Sequence, residues 1–244
     1  MMNYWITRLL NDKFFQEVMV KPKVVIVMPA FNEENMVGRV IKAVKKRGFN
    51  NIIVVDDGSK DNTTEVSLNA GADVVVHPLN RGLGAALGTG IQEGVTRGYD
   101  IIVTFDSDGQ HHPDDIEKVI SPIAKMRADA VIGTRLKNPR GMPIIRRIGN
   151  WGFNVITYML FGVWTTDSQS GFRAFSKKGA SVIDIKSNRM EVSSEIIKEI
   201  GRNKLKFREV PIRAIYTDYS MSRGQSSLNA FRILAKLILR RLKR

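Results

Sequence analysis

Short apolar, β-branched runs alternate with amphipathic stretches of helical length through the first half of this chain, and that alternation restricts the fold more than any other feature. Val24–Met28, Ile52–Val55, Val74–Val76, Ile101–Phe105 and Ala130–Ile132 lack the polar alternation of a half-exposed strand, so they read as buried parallel strands. Between them, Glu33–Arg47, Asp61–Ala70, Gly82–Arg97 and Asp114–Arg127 read as helices. Strand–helix repeats at this spacing are βαβ units, which build an α/β fold with an open, mostly parallel sheet flanked by helices. Past Arg135 the pattern changes: Ile144–Phe161 and Glu191–Ile200 read as helical, Lys206–Ile215 as extended, and Ser227–Leu242 as a strongly basic helix. One domain with terminal appendages accounts for 244 residues. The expected boundaries are an amphipathic N-terminal extension over 1–22, a main domain over 23–226 and a basic amphipathic C-terminal helix over 227–244.

Ligands of open α/β sheets bind beyond the carboxyl ends of the strands, so the chemistry is expected in the residues that follow each strand. After the first comes Pro29-Ala30-Phe31-Asn32-Glu33-Glu34, where Asn32 suits a helix N-cap and the glutamates suit a positive helix N-terminus. After the second comes Asp56-Asp57-Gly58-Ser59, which fits either a plain turn or acceptors for a base or ribose. After the fourth comes Phe105-Asp106-Ser107-Asp108-Gly109-Gln110. Acids this close repel one another, and a divalent cation removes that cost. Asp106 and Asp108 can both reach one cation, with Gln110 offering a further oxygen. The chain has no cysteine and three histidines, so an oxygen-held Mg²⁺ or Mn²⁺ is expected rather than Zn²⁺. The run does not have the form of an EF-hand loop.

Gly133-Thr134-Arg135 follows the fifth strand, and Asp167-Ser168-Gln169-Ser170-Gly171-Phe172-Arg173 comes later. Arg135 at a strand end fits a phosphate clamp, and Asp167 fits a general base or a partner for a substrate hydroxyl. Both equally fit an ordinary ion pair. Gly82–Gly88 has the outline of a dinucleotide fingerprint, but its third glycine is displaced and His77–Arg81 separates it from the strand. Small residues that let a helix approach the sheet are the better reading.

A net charge of +14 is concentrated in two acid-free stretches. Arg135, Lys137, Arg140, Arg146 and Arg147 form one; Arg223, Arg232, Lys236, Arg240, Arg241, Lys243 and Arg244 form the other. Such blocks point to anionic partners: phosphates, nucleic acid or acidic lipid. No secretory signal is visible, and Ile148–Thr166, interrupted by asparagines and glycines, falls short of a membrane span. From Ser227 the apolar Leu228, Phe231, Ala235, Ile238 and Leu242 share one helical face and Arg232, Lys236, Arg240 and Arg244 another, the form of an interfacial helix.

Taken in order, Pro-x-Phe-Asn-Glu-Glu, Asp-Asp-Gly-Ser, Asp-x-Asp-Gly-Gln, Gly-Thr-Arg and Asp-Ser-x-Ser-Gly-Phe-Arg resemble the inverting GT-A-fold glycosyltransferases of family 2. Within that family the chain most resembles the dolichyl-phosphate mannose synthase and polyprenyl-phosphate glycosyltransferase group, over about residues 23 to 228. The resemblance implies a Rossmann-like GT-A domain and the inverting, metal-dependent transfer of a hexose. The donor would be a GDP- or UDP-linked sugar and the acceptor a dolichyl or other polyprenyl phosphate. It places Pro29, Asn32 and Glu33 at the nucleotide pocket, with Asp57 and Gly58 at the base or ribose. Asp106, Asp108 and Gln110 fall at the metal and diphosphate, Arg135 and Arg173 near the donor and acceptor phosphates, and Arg223 in a late segment that closes over the site. The family's acceptor-phosphate arginine has no unambiguous counterpart; Arg146 and Arg147 lie nearby.

A lipid phosphate is already ionised near neutrality, whereas a saccharide hydroxyl would need a base, for which Asp167 and Glu191 are the candidates. The expected location is the cytoplasmic face of a membrane, as a peripheral protein on its anionic surface. Nucleic acid is set aside: a basic binding protein would share the charge but not the carboxylates at successive strand ends. A sugar nucleotidylyltransferase would carry a glycine-rich basic loop after the first strand, where Pro29–Glu34 has neither glycine nor a basic residue.

Overall fold

A computed structural model describes residues 21–136, 144–213 and 215, with side chains from residue 147 onward in the helix that begins at 144. The chain runs β1 (Val24–Ala30), α1 (Val37–Lys45), β2 (Ile52–Asp56), α2 (Thr63–Asn69), β3 (Asp73–Val76), α3 (Leu83–Thr96) and β4 (Ile101–Thr104). A 3-10 turn at Pro113–Asp115 leads into α4 (Ile116–Ala124), followed by β5 (Ala130–Thr134) and α5 (Ile144–Phe161). The described part closes with β6 (Arg173–Ser176), α6 (Lys177–Val182), α7 (Val192–Arg202) and β7 (Phe207–Pro211).

One seven-stranded sheet results, in the order β3-β2-β1-β4-β6-β5-β7. Alternate residues of each buried strand supply opposite faces. On β1, Ile26 and Met28 join a core with Val40, Ile41 and Val44 of α1 and Ile116 and Val119 of α4. Val25 and Val27 pack the other way, with Leu87 and Ile91 of α3 and Ile196 and Ile197 of α7. Helices on both faces explain why these strands are apolar throughout.

Each predicted strand is present to within a few residues, as is each predicted helix in the described part. Val74–Val76 is not a buried strand: β3 is an edge strand with Val76 exposed. Asn32 does not cap a helix, because α1 starts only at Val37. β6 and α6 were not foreseen. β6 enters the sheet antiparallel between β4 and β5, pairing Arg173 with Thr104 on one side and Ile132 on the other, while the remaining pairings are parallel.

The glycines of α3 are packing residues. A Cβ on Gly90 would fall 2.2 Å from Val27 Cγ1, and one on Gly84 would fall 1.8 Å from the Ser187 carbonyl oxygen. The terminal amphipathic segments, Arg223 and the residues from Lys137 to Pro143 lie outside the described residues.

Candidate active site

The loops after β1 and β2 are stitched to each other. Asn32 adopts the left-handed conformation (φ 54°), which asparagine tolerates better than most residues. Its N–H donates to Ser59 Oγ at 2.9 Å, and its Oδ1 accepts from the Lys60 N–H at 2.9 Å. The Glu33 N–H donates to Thr63 Oγ1 at 2.8 Å, and the Glu33 side chain is buried. Pro29 contributes its carbonyl, which accepts from Ser107 Oγ at 2.8 Å and ties the first loop to the Asp106–Asp108 turn. Asp57, almost wholly buried, accepts from the N–H groups of Arg81 and Gly82, with His77 Nδ1 2.7 Å from its Oδ1. Its carboxylate therefore anchors the loop that leads into α3. Gly58 (φ 73°) allows the backbones to meet there, since a Cβ would fall 2.8 Å from Asn80 N.

The turn after β4 brings two carboxylates together in unlike surroundings. Asp106 Oδ2 is 2.8 Å from His111 Nε2, and the His111 ring packs against Phe105 and Phe172. Burial pushes Asp106 up, but His111, Arg173 and Arg135 outweigh it and hold the carboxyl below its usual range. Asp108 is pushed up to about 6, by burial first and by the Asp106 charge second. Gln110 donates to Asp108 from both its backbone N–H (3.0 Å) and its Nε2 (2.7 Å).

That charge balance fits a hard divalent cation: one carboxylate is held ionised, and the other is raised by burial first and by repulsion second, of which a cation would cancel the repulsion. No group of three or more His, Cys, Asp or Glu capable of holding a metal alone exists among the described residues. Mg²⁺ with phosphate substrates is commonly held by one or two carboxylates together with phosphate oxygens.

The basic side of the site comes from β5, β6 and the loop between α5 and β6. Arg135 grips Asp167 with Nε and Nη2, both at 2.8 Å, and its backbone N–H donates to the same carboxylate at 2.9 Å. Asp167 is fully buried. Its loop is held by Glu209 on β7, which accepts from the Thr166 N–H and the Thr165 hydroxyl, and by Asn154 on α5, which bonds the Thr166 carbonyl and the Ser168 N–H. Gly171 lies against Asp106: a Cβ there would fall 2.4 and 2.5 Å from the two carboxylate oxygens.

Arg173 is also fully buried, and burial pushes its guanidinium down to about 10 although Asp106 and Asp167 support its charge. Its Nη2 donates to the Ser168 carbonyl at 3.3 Å, while Nε and Nη1 have no hydrogen-bond partner among the described residues. Unsatisfied buried donors on a cation cost on the order of 1–3 kcal/mol or more, so they point to a ligand that completes them.

Thus Pro29, Asn32, Glu33, Asp57 and Gly58 gather at the β1 and β2 ends, while Asp106, Asp108, Gln110, Arg135, Asp167 and Arg173 gather around β4, β5 and β6. Glu191 is buried at the start of α7. Sequence reasoning missed His111, Asn154, Gly171 and Glu209. His111, just beyond the carboxylate pair, and Gly171, inside the Asp167–Arg173 motif, had local signals; Asn154 and Glu209 had none.

A parallel half-sheet, an antiparallel strand between β4 and β5 and an acidic pair beside Arg173 and Arg135 agree with a glycosyltransferase of the GT-A class. The chain belongs to glycosyl transferase family 2, whose family model matches residues 25–183. It is 40% identical over 236 residues to the UDP-N-acetylglucosamine–dolichyl-phosphate N-acetylglucosaminyltransferase of Methanococcus voltae, covering 88% of this chain and 94% of that one. It is 32% identical over 176 residues to the undecaprenyl-phosphate mannosyltransferase of Micrococcus luteus, covering 67% and 70% respectively. Glucosyl-3-phosphoglycerate synthase from Mycobacterium tuberculosis, solved with Mn²⁺, UDP and glucosyl-3-phosphoglycerate, shares the fold with a TM-score of 0.68 at 20% identity, covering 89% of this chain and 77% of that one.

Proposed function

We propose that this enzyme transfers a hexose or hexosamine from a UDP-sugar to a polyprenyl phosphate, with inversion, as a peripheral protein on the cytoplasmic face of a membrane. The observation that carries the acceptor assignment is the state of Asp167. Its oxygens are committed to Arg135 and it has no solvent exposure, so it is unsuited to take a proton from a hydroxyl. An acceptor phosphate is already ionised and needs no base. The Methanococcus relative, named for a UDP donor and a dolichyl-phosphate acceptor, supports both halves of the reading.

Asp106, Asp108 and the diphosphate would hold Mg²⁺ or Mn²⁺, which when bound supplies positive charge to the leaving nucleoside diphosphate. Arg173 carries two donors with no partner among the described residues, and Asp106 and Asp167 support its charge. Arg135, fixed by Asp167, adds a second preorganised cation where anionic groups converge. His111 keeps the Asp106 carboxylate oriented, and Asp57 holds the loop that begins α3 beside the nucleotide side of the sheet. The acceptor phosphate attacks the anomeric carbon from the face opposite the diphosphate, which inverts its configuration.

Labelled UDP- and GDP-sugars, incubated with dolichyl or undecaprenyl phosphate and Mn²⁺, test the reading. The expected product is a charged glycolipid formed from the UDP-sugar. Glycosylation of soluble hydroxyl acceptors alone would overturn it and leave Glu191 as the candidate base.

A further inference from the structure

α5 carries its polar residues on the wrong side for a surface helix. Asn154 and Thr157 face inward, where Asn154 bonds the loop that bears Asp167 and Thr157 meets Ser194 of α7 at 3.3 Å. The solvent side holds Ile148 (61% exposed), Trp151 (61%), Tyr158 (48%) and Met159 (66%), with Trp164 (50%) just beyond the helix end. Spacings of three, seven and eight residues put the four helical positions on one face. Tyr158 and Trp164 meet edge to face at 5.7 Å, so the exposed aromatic surface is continuous there. From Ile148 to Thr166 there is no charged residue, while Arg147 at the start of the stripe is exposed. A water-facing helix surface is ordinarily polar, and a contiguous apolar patch on a soluble face marks an interaction site.

We infer that this face of α5 docks on an anionic bilayer and lies along its surface. The inference rests on the proposed lipid-phosphate acceptor and adds the surface that meets the lipid. Three features select a membrane over a protein partner. Tryptophan and tyrosine are the side chains enriched at the membrane–water boundary. The stripe begins next to the exposed Arg147, so an anionic leaflet meets complementary charge at its N-terminal end. No helix among the described residues is long and apolar enough to cross a membrane, which leaves an in-plane orientation for this one. The inner face of the same helix holds Thr166 and Ser168 on either side of Asp167. Docking by the outer face therefore sets the height of the Arg135–Asp167 pair above the headgroups, where an acceptor phosphate is presented.

Flotation of the full-length protein with phosphatidylglycerol–phosphatidylcholine vesicles lacking any prenyl phosphate tests docking apart from catalysis. A Trp151→Gln, Tyr158→Gln, Met159→Gln variant is expected to lose at least about tenfold in vesicle binding. Its turnover of a short, water-soluble prenyl phosphate should stay unchanged. A second variant, Trp5→Phe with Trp164→Phe, leaves Trp151 as the sole tryptophan; its emission should shift to the blue on vesicle addition and be quenched by brominated lipid. Flotation of the triple variant equal to wild type would overturn the inference. So would a Trp151 emission already blue without vesicles and untouched by brominated lipid, which would mean that a terminal segment of this chain or a second copy covers the face. Vesicle binding through this face with no transfer to any prenyl phosphate would uphold the docking surface and sink the acceptor reading alone.

Discussion

Across 32 residues of chain, Arg135 and Asp167 meet two-on-two, Nε to Oδ2 and Nη2 to Oδ1, each at 2.8 Å. The carboxylate has no solvent exposure and the guanidinium little, so the pair was brought out of water together and each charge depends on the other. Asp167→Ala, which strands the Arg135 charge, is expected to cost about 3–5 kcal/mol of stability, read by chemical denaturation. Asp167→Asn should fold with a smaller loss and turn over at least about tenfold more slowly, because Arg135 is no longer held in place. The decisive readout is the pH–rate profile of the Asn variant. Loss of its acidic limb would make Asp167 a base; a uniformly lowered profile is expected.

Asp108→Asn should abolish transfer while the protein melts normally, and excess chelator should silence the wild type. His111→Asn tests the support behind the carboxylates. A partner that orients a metal ligand is typically worth about 10–100-fold in metal affinity, so the Mn²⁺ requirement should rise by that factor with a smaller change in kcat at saturating Mn²⁺. Unchanged Mn²⁺ dependence in either variant would remove these residues from the metal site.

The two carboxylates also set a pH dependence. Asp108 must ionise to hold a cation and does so at about 6 in the folded, metal-free protein. Protons therefore compete below that value, and the apparent Mn²⁺ affinity should fall as pH drops through 6, measured by calorimetry. The sign for stability is the reverse. A carboxyl whose pKa is raised by folding contributes stability that is full below the unfolded value of about 3.9 and is lost as pH rises through about 6. Metal-free protein should accordingly lose stability over that window, and Mn²⁺ should restore most at its upper end.

Gly171→Ala adds one methyl group where there is no room for it. A Cβ 2.4 Å from an Asp106 oxygen forces either the carboxylate or the 167–172 loop to move. The expected result is weaker Mn²⁺ binding together with a loss of about 1–3 kcal/mol in stability, seen by calorimetry and by thermal melting respectively. A fully active, normally stable variant would show that this contact does not position Asp106.

Much of the sheet was legible because β1, β2, β4 and β5 are buried on both faces and so are apolar without interruption. β3 shares that composition but ends the sheet, and three valines in a row do not say which side lacks a neighbour. β6 escaped because it is four residues long, opens with a buried arginine and owes its existence to two distant partners. The strand-end motifs lie near one another in the fold, at the ends of β1, β2, β4 and β5 and beside β6. What they could not reveal is which side chain is already taken. That Asp167 is saturated by Arg135 and Asp57 by His77 and two backbone amides depends on contacts 20 or more residues apart. Asn32 had the local form of a cap, but its side chain bonds Lys60 of the neighbouring loop instead.

The place of β6 between β4 and β5 has a bearing on how the molecule comes into being. Both flanking strands leave the ribosome before it, and each then presents an open edge toward the gap that β6 fills. Unpaired edges of apolar strands invite pairing with other chains, so the gap between β4 and β5 is a point of exposure until β6 fills it. The same late insertion delivers Gly171 to Asp106 and Arg173 to its buried place. Filling the gap between β4 and β5 and placing Gly171 and Arg173 beside Asp106 therefore depend on the same short segment, and a chain halted before β6 would have neither.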